Sequence, residues 1–341
     1  MNWVKTWGPG IFLSAVLAVV AKIIGGWIPY GLISAGVFAL LIGMLLNPLL
    51  SKYGVFHRGV QFVSKTVLKA AIVFMGVTLS FSQVLQVGKY SLIVMTFTLL
   101  TAFGGGYLLG KAFGMNWKLS GLISAGTGIC GGSAIAAIAP VIDAKDRDIA
   151  YAISSTFIFD IIMVILFPIA GRFFGMTDMG FGLWAGTAVN DTSSVVAAGY
   201  AFSDAAGSFA TIVKLTRTLS IIPVVLIFSV INERINRKQA TEPGATVQHK
   251  KIQWKKIFPW FILLFLGMVA VKSTGLISHQ ASGVISDVSK FCMVMALGAI
   301  GLKTNFKEVA KSGALPMVHG FIISALVVVV SFLVQLMLGQ M

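Results

Sequence analysis

The chain has 341 residues, 57% hydrophobic and 11% charged, with a formal net charge of +15. Soluble domains carry about 25% charged residues, so the bilayer, not water, is the solvent for most of this chain, and no stretch is long enough for a separate soluble domain. The basic residues sit between apolar runs, as the positive-inside pattern requires, which excludes nucleic acid as the reason for the charge.

A helix needs about 20 apolar residues to cross a bilayer. Such runs fall at 8–26, 31–50, 66–84, 90–113, 119–142, 149–171, 180–203, 208–231, 257–275, 284–303 and 314–338. The fold class expected is therefore all-α, a polytopic membrane protein of about 10–11 transmembrane helices forming a single domain over 1–341. The first run follows Lys5 and is read as a helix rather than a cleaved signal, because many spans follow it. Asn47-Pro48 reads as a helix end. Residues 51–64 are too polar to span and are expected to form an interfacial helix. Residues 232–256, with Thr241-Glu242-Pro243-Gly244, read as a flexible cytoplasmic linker. The two cysteines, Cys130 and Cys292, lie in apolar segments and form no disulfide framework or CxxC metal pattern.

Orientation follows from Lys and Arg. With the N-terminus in the cytoplasm, Lys52, Arg58, Lys65 and Lys69 lie inside, as does the cluster Arg234, Arg237, Lys238, Lys250, Lys251, Lys255 and Lys256. Asp143, Asp146, Asp148, Asp204 and Asp287 then dilute the outer segments. Eleven spans put the C-terminus outside.

Transporters built from inverted repeats show weak internal similarity, and two echoes occur. Gly76, Phe81, Val84 and Gly88 recur at equal spacing as Gly301, Phe306, Val309 and Gly313, in segments that run in opposite directions. Ala125-Gly126-Thr127 with Ser133 recurs as Ala185-Gly186-Thr187 with Ser193, in segments that run parallel. An alternative count of one extra helix and five plus five pairs the span near Gly131 with 284–303. Sequence leaves the register open.

Three places carry chemistry. The first is Thr127-Gly128-Ile129-Cys130-Gly131-Gly132-Ser133, midway along its span. Gly inside a helix costs about 1 kcal/mol relative to Ala, so this run predicts an unwound break. Unwound backbone at membrane depth is tolerated only inside protein or beside water. Freed amides at the next half-helix favour an anion, with Ser133 as a further donor; close packing through small residues is the competing reading.

The second is Asn190-Asp191-Thr192-Ser193-Ser194. Asp191 costs about 2.5–3.5 kcal/mol at a helix centre and needs a partner or water. Asn190 and Asp191 can cap a following half-helix, and the same oxygens suit a proton or Na⁺; an ordinary loop just outside the bilayer is the alternative. The third is Lys214 and Arg217, three apart on one helix face. Asp191 or an anionic substrate is their expected partner, and snorkelling to the interface competes. Asp160, flanked entirely by apolar residues, is read as a partner for Arg217, a carrier of the coupling proton or a structural contact. His319 is read as a satisfied interfacial histidine. No HExxH, Walker or dinucleotide-binding motif occurs, and nothing supports a hydrolase.

Two runs carry a resemblance: 126–137, Gly-Thr-Gly-Ile-Cys-Gly-Gly-Ser-Ala-Ile-Ala-Ala, and 185–198, Ala-Gly-Thr-Ala-Val-Asn-Asp-Thr-Ser-Ser-Val-Val-Ala-Ala, continued by Lys214-Leu215-Thr216-Arg217-Thr218. On these the chain resembles the bacterial family that carries the label sulfate exporter. The resemblance covers most of the chain. It implies a plasma-membrane protein of about ten spans, distantly similar to the sodium/proton antiporter and bile-acid symporter superfamily, with inverted repeats and crossing broken helices.

The function expected is a secondary transporter, not an enzyme, for a small anion, with sulfate, sulfite or a small sulfonate or carboxylate as candidates. Thr127, Gly128, Cys130, Gly131, Gly132, Ser133, Asn190, Thr192, Ser193, Ser194, Lys214 and Arg217 would line the substrate site. Asp160 or Asp191 would carry the coupling H⁺ or Na⁺. No cofactor or metal is expected; partners are the anion, the coupling ion and membrane lipid, with a homodimer left open. A passive anion channel and an intramembrane enzyme or scaffold without solute flux are the alternatives.

Overall fold

The computed structural model describes residues 2–27, 35–50, 52–79, 81–239, 260–303 and 313–340, and every regular element among them is helical. In chain order these are α1 (Asn2–Trp27), α2 (Ala35–Leu50) and α3 (Gly54–Thr78). Next comes α4 (Phe81–Leu100), which continues through a wide turn at Thr101–Gly105 into Gly106–Ala112. α5 (Trp117–Ala125) ends in a wide turn at Gly126–Cys130 and is followed by α6 (Gly132–Ile138). Then follow α7 (Asp146–Phe173), α8 (Asp178–Ala188), α9 (Thr192–Phe202), α10 (Asp204–Thr218) and α11 (Ile221–Gln239). The last are α12 (Trp260–Ser273), α13 (His279–Lys303) and α14 (Ala314–Met337).

Among the described residues, seven helical segments are long and apolar enough to cross a membrane, and α2 and α12 are shorter apolar helices. With the interrupted pairs α5–α6 and α8–α9, these account for every span read from the sequence. Large apolar side chains cover the outside, among them Leu92, Phe97 and Leu100 on α4 and Phe321, Val329 and Leu333 on α14. The protein is a polytopic all-α membrane protein.

Three expectations change. Residues 54–64 are not a separate interfacial helix: they begin α3 and run on into the span. The polar stretch from 232 begins as helix, because α11 continues to Gln239; 240–256 lie outside the described residues. The span 284–303 is the unbroken α13, so it does not repeat the break near Gly131. In the first echo, Phe306 and Val309 lie outside the described residues.

The helices sort into two groups. α1, α2, α3, α12 and α13 pack mainly with one another, and α4 to α11 pack with α14. In the first group, glycine brings α2 and α13 backbone to backbone: a Cβ on Gly43 would lie 2.9 Å from the Leu302 nitrogen, and one on Gly301 3.0 Å from the Leu40 carbonyl carbon. Small residues allow such approach where hydrocarbon offers no hydrophobic drive between helices. Asn47-Pro48 does not end α2, which runs on to Leu50 with Pro48 inside it; instead the Asn47 amide donates to the Leu302 carbonyl at 2.7 Å. The second group holds both interruptions.

Candidate functional site

Both predicted breaks are present. Gly131 has φ 62° and ψ −135°, a conformation open in practice only to glycine, and its amide folds back to the Gly126 carbonyl at 2.8 Å. The second break is made differently. Val189 and Asp191 are extended, with ψ 138° and 146°, so the chain leaves α8 and re-enters helix at Thr192. Asp191 caps α9 by accepting the Ser193 amide at 2.9 Å, and it also accepts the Ser193 hydroxyl. The two breaks touch: a Cβ on Gly131 would lie 3.2 Å from the Asp191 Cβ.

Each interruption leaves orphan carbonyls at the end of the first half-helix, where the helix dipole is negative. Lys214 and Arg217 of α10 answer both ends. The Lys214 ammonium donates to the carbonyls of Ile129 at 2.8 Å, Val189 at 3.0 Å and Asn190. Arg217 donates from Nε to Gly128 at 2.6 Å and from Nη1 to Thr187 at 2.7 Å and Val189 at 3.3 Å. Its Nη2 donates to the Thr127 carbonyl. Both side chains are 0% exposed, which rules out snorkelling. Among protein groups, the carbonyls of the breaks, rather than the Asp191 or Asp160 carboxylates, receive these donors. Such carbonyls belong to the backbone, so no side-chain pattern announced them.

Asp160 serves the other half-helix. Its Oδ1 accepts the Asn190 amide at 2.8 Å and its Oδ2 the Asp191 amide at 3.0 Å, at the positive start of α9. It is 1% exposed and fixed from both oxygens. Asn190 is fully buried; its amide reaches the Thr156 carbonyl at 3.5 Å and the Ser324 hydroxyl at 3.4 Å, while its Oδ1 has no protein partner.

The crossing opens on one side. Gly132, Asp191 and Thr192 are part-exposed and Ser133 is exposed, whereas Thr127, Gly128, Cys130, Gly131, Ser193 and Ser194 are buried. The open face of α6 continues through Ala136 and Ala137. Its small residues contrast with the Leu, Phe and Val side chains on the outer faces of α4 and α14. The substrate residues expected from the sequence thus divide into a buried frame and the accessible set Gly132, Ser133 and Thr192, with Asp191 beside them. Among the described residues no group of His, Cys, Asp and Glu is arranged to hold a metal ion.

Sequence reasoning missed the contribution of α14. Ser324 lies 3.3 Å from the Thr127 hydroxyl, and Ser331 lies 2.6 Å from the Thr187 hydroxyl. These threonines are the equivalent positions of the Ala-Gly-Thr echo, and the serines are two helical turns apart on α14. Ser324, Ser331 and Gln335 are all buried; their spacing on one helix face was the available signal. His319, near the start of the same helix, is fully buried in the protein, with Nε2 3.0 Å from the Gly106 carbonyl and 3.2 Å from the Ser120 hydroxyl. A further turn, at Leu219 and Ser220, separates α10 from α11, and Pro223 sits in the first turn of α11, where its missing amide is tolerated.

Comparison with known proteins agrees with the motifs. The family described as Conserved hypothetical protein 698 matches residues 9–320. A UPF0324 membrane protein of Clostridium tetani is 72% identical, with 100% of both chains covered. A UPF0324 membrane protein of Streptococcus pneumoniae serotype 4 is 40% identical, with 99% of each chain covered. UPF0324 membrane protein SAG1125 of Streptococcus agalactiae is 39% identical, with 97% of each covered. The chain, with its paired helix breaks and buried basic pair, belongs to the Conserved hypothetical protein 698 family of membrane proteins.

Proposed function

We propose that the protein is a secondary transporter that moves a small anion across the bacterial plasma membrane, with its N-terminus in the cytoplasm, coupled to H⁺ or Na⁺. One observation carries the reading: two half-helix starts open at the same point, at Gly132–Ser133 and Asp191–Thr192, in a protein whose long helices turn large apolar side chains outward. Polar backbone is kept out of lipid, so such a point belongs beside water. The Ser133 and Thr192 hydroxyls and the amides at the start of α6 are donors for an oxyanion. Lys214 and Arg217 supply mainly field rather than contact, since all three Lys214 donors and all but one Arg217 N–H go to carbonyls. Asp191 is the carboxylate with access to the opening and alternates between coupling ion and neighbouring substrate. Asp160 holds the α9 start in place. The group α4–α11 with α14 then rocks against α1–α3, α12 and α13.

A second reading has one observation in its favour. With both cations buried, the accessible charge at the crossing is Asp191, as suits a carrier of the cation alone. Purified protein in liposomes separates these. Uptake of labelled sulfate, sulfite, sulfonates or carboxylates under an imposed pH or Na⁺ gradient supports the anion reading. Cation flux without any anion supports the second, flux without coupling supports a channel, and no solute flux defeats transport.

A further inference from the structure

We propose that the Lys214 ammonium is the resident cation of the crossing: it fills the carbonyl cage a sodium ion would otherwise take, so the protein works without Na⁺ and the coupling ion is H⁺. The proton clause rests on the transport reading above; the cage does not.

Hard cations seek oxygen and gather on the order of six such ligands. Unwound backbone between half-helices is where transporters present carbonyls to Na⁺. Here those carbonyls are spoken for. An ammonium has three N–H donors, and those of Lys214 go to the carbonyls of Ile129, Val189 and Asn190, one from the first break and two from the second. Arg217 takes those of Thr127, Gly128 and Thr187, and shares Val189. The carboxylates offer little more. Each oxygen of Asp160 accepts a backbone amide, and Asp191 Oδ2 accepts from Ser193. Of the Asp160, Asp191 and Asn190 side-chain oxygens, that leaves Asp191 Oδ1 and the unpartnered Asn190 Oδ1, two against about six ligands. A tethered cation satisfies both negative helix ends whatever the solution contains. The ionisable groups facing the crossing are Cys130 from the first break, Asp160 from α7, Asp191 from the second break, and Lys214 and Arg217 from α10. Of the acids among them, Asp191 is the accessible one, which makes it the proton carrier.

The test compares melting of the full-length protein and of Lys214→Ala in equimolar sodium, potassium, methylammonium and choline chloride. The parent is expected to melt at the same temperature in all four. Lys214→Ala opens the cage; it is expected to melt lower in choline and to recover by several degrees in methylammonium or sodium. A sodium-specific rise in the parent overturns the proposal, as does a Lys214→Ala protein indifferent to the cation. Should Lys214→Ala be recovered folded only from membranes extracted in methylammonium or sodium, the cage is supported; if it folds in none, the parent's response decides. In liposomes, anion uptake driven by a pH gradient with potassium as the sole alkali cation supports the proton clause, and uptake that requires sodium overturns it while transport stands. Absence of flux under every gradient overturns transport and the proton clause together, and melting still decides the cage.

Discussion

The segment 117–138 is interrupted by glycine, and the segment 178–202 by Asn190 and Asp191. In the first, Gly131 takes a left-handed conformation, no side chain caps α6, and the chain turns because nothing hinders it. In the second, the backbone stays in ordinary extended regions, and carboxylates hold the start of α9 from two sides. Yet both segments end their first halves on the same pair of cations and meet α14 through the same threonine–serine contact. A break can thus be built by removing side chains or by adding charged ones. The shared part, the cation clamp, is where the two segments depend on each other.

That contrast ranks the substitutions. Arg217→Met should do most harm, because it strands carbonyls of both segments at once. An unsatisfied buried polar group costs about 1–3 kcal/mol, so the variant is expected to lose at least about 3 kcal/mol and much of its folded yield on size-exclusion chromatography. If it melts like the parent, the clamp is not what joins the segments. Gly131→Ala comes next. A non-glycine residue in such a conformation costs about 1–3 kcal/mol, and the new Cβ meets Asp191. Gly132→Ala, one residue on with nothing within 4 Å, is expected to change melting by less than about 1 kcal/mol. Equal effects at the two positions would deny that the first break is a matter of glycine geometry.

Asp191→Ala probes the other design. Loss of an N-cap costs about 1 kcal/mol, and gradient-driven uptake is expected to vanish. Asp191→Asn should restore most of the melting temperature and none of the uptake, which separates cap from carrier. The smallest effects belong to α14. Ser324→Ala and Ser331→Ala should each cost about 1 kcal/mol, and by similar amounts, since they remove the equivalent contact from the two segments. A large inequality between them would show that the Ala-Gly-Thr echo is not a structural equivalence.

Much of this is legible in the sequence. Apolar runs located the spans because hydrocarbon leaves few alternatives, and the glycine run and the Asn190–Ser194 run marked both breaks. What could not be read was partnership. Lys214 and Arg217 were seen as a basic pair on one face, but their ligands are carbonyls, which every residue has. Asp160 stood out as a buried acid, yet the amides it holds are 30 and 31 residues away, reached by a fold that periodicity does not encode. The polar face of α14 was hidden because each serine alone is unremarkable in an apolar helix. The helix start at Gly54 is hidden because residues 51–64, with Arg58 exposed among them, look too polar to span when read as a line of letters.

The claim beneath all of this is that the meeting point of the two breaks is wet. With Cys130 and Cys292 replaced by alanine, Ser133→Cys and Thr192→Cys should react with a small water-soluble thiol reagent in membrane vesicles, while Leu100→Cys on the outer face of α4 stays unlabelled. Labelling at neither Ser133→Cys nor Thr192→Cys, applied from either side of the membrane, would mean that the interruptions are sealed within protein or lipid and line no pathway.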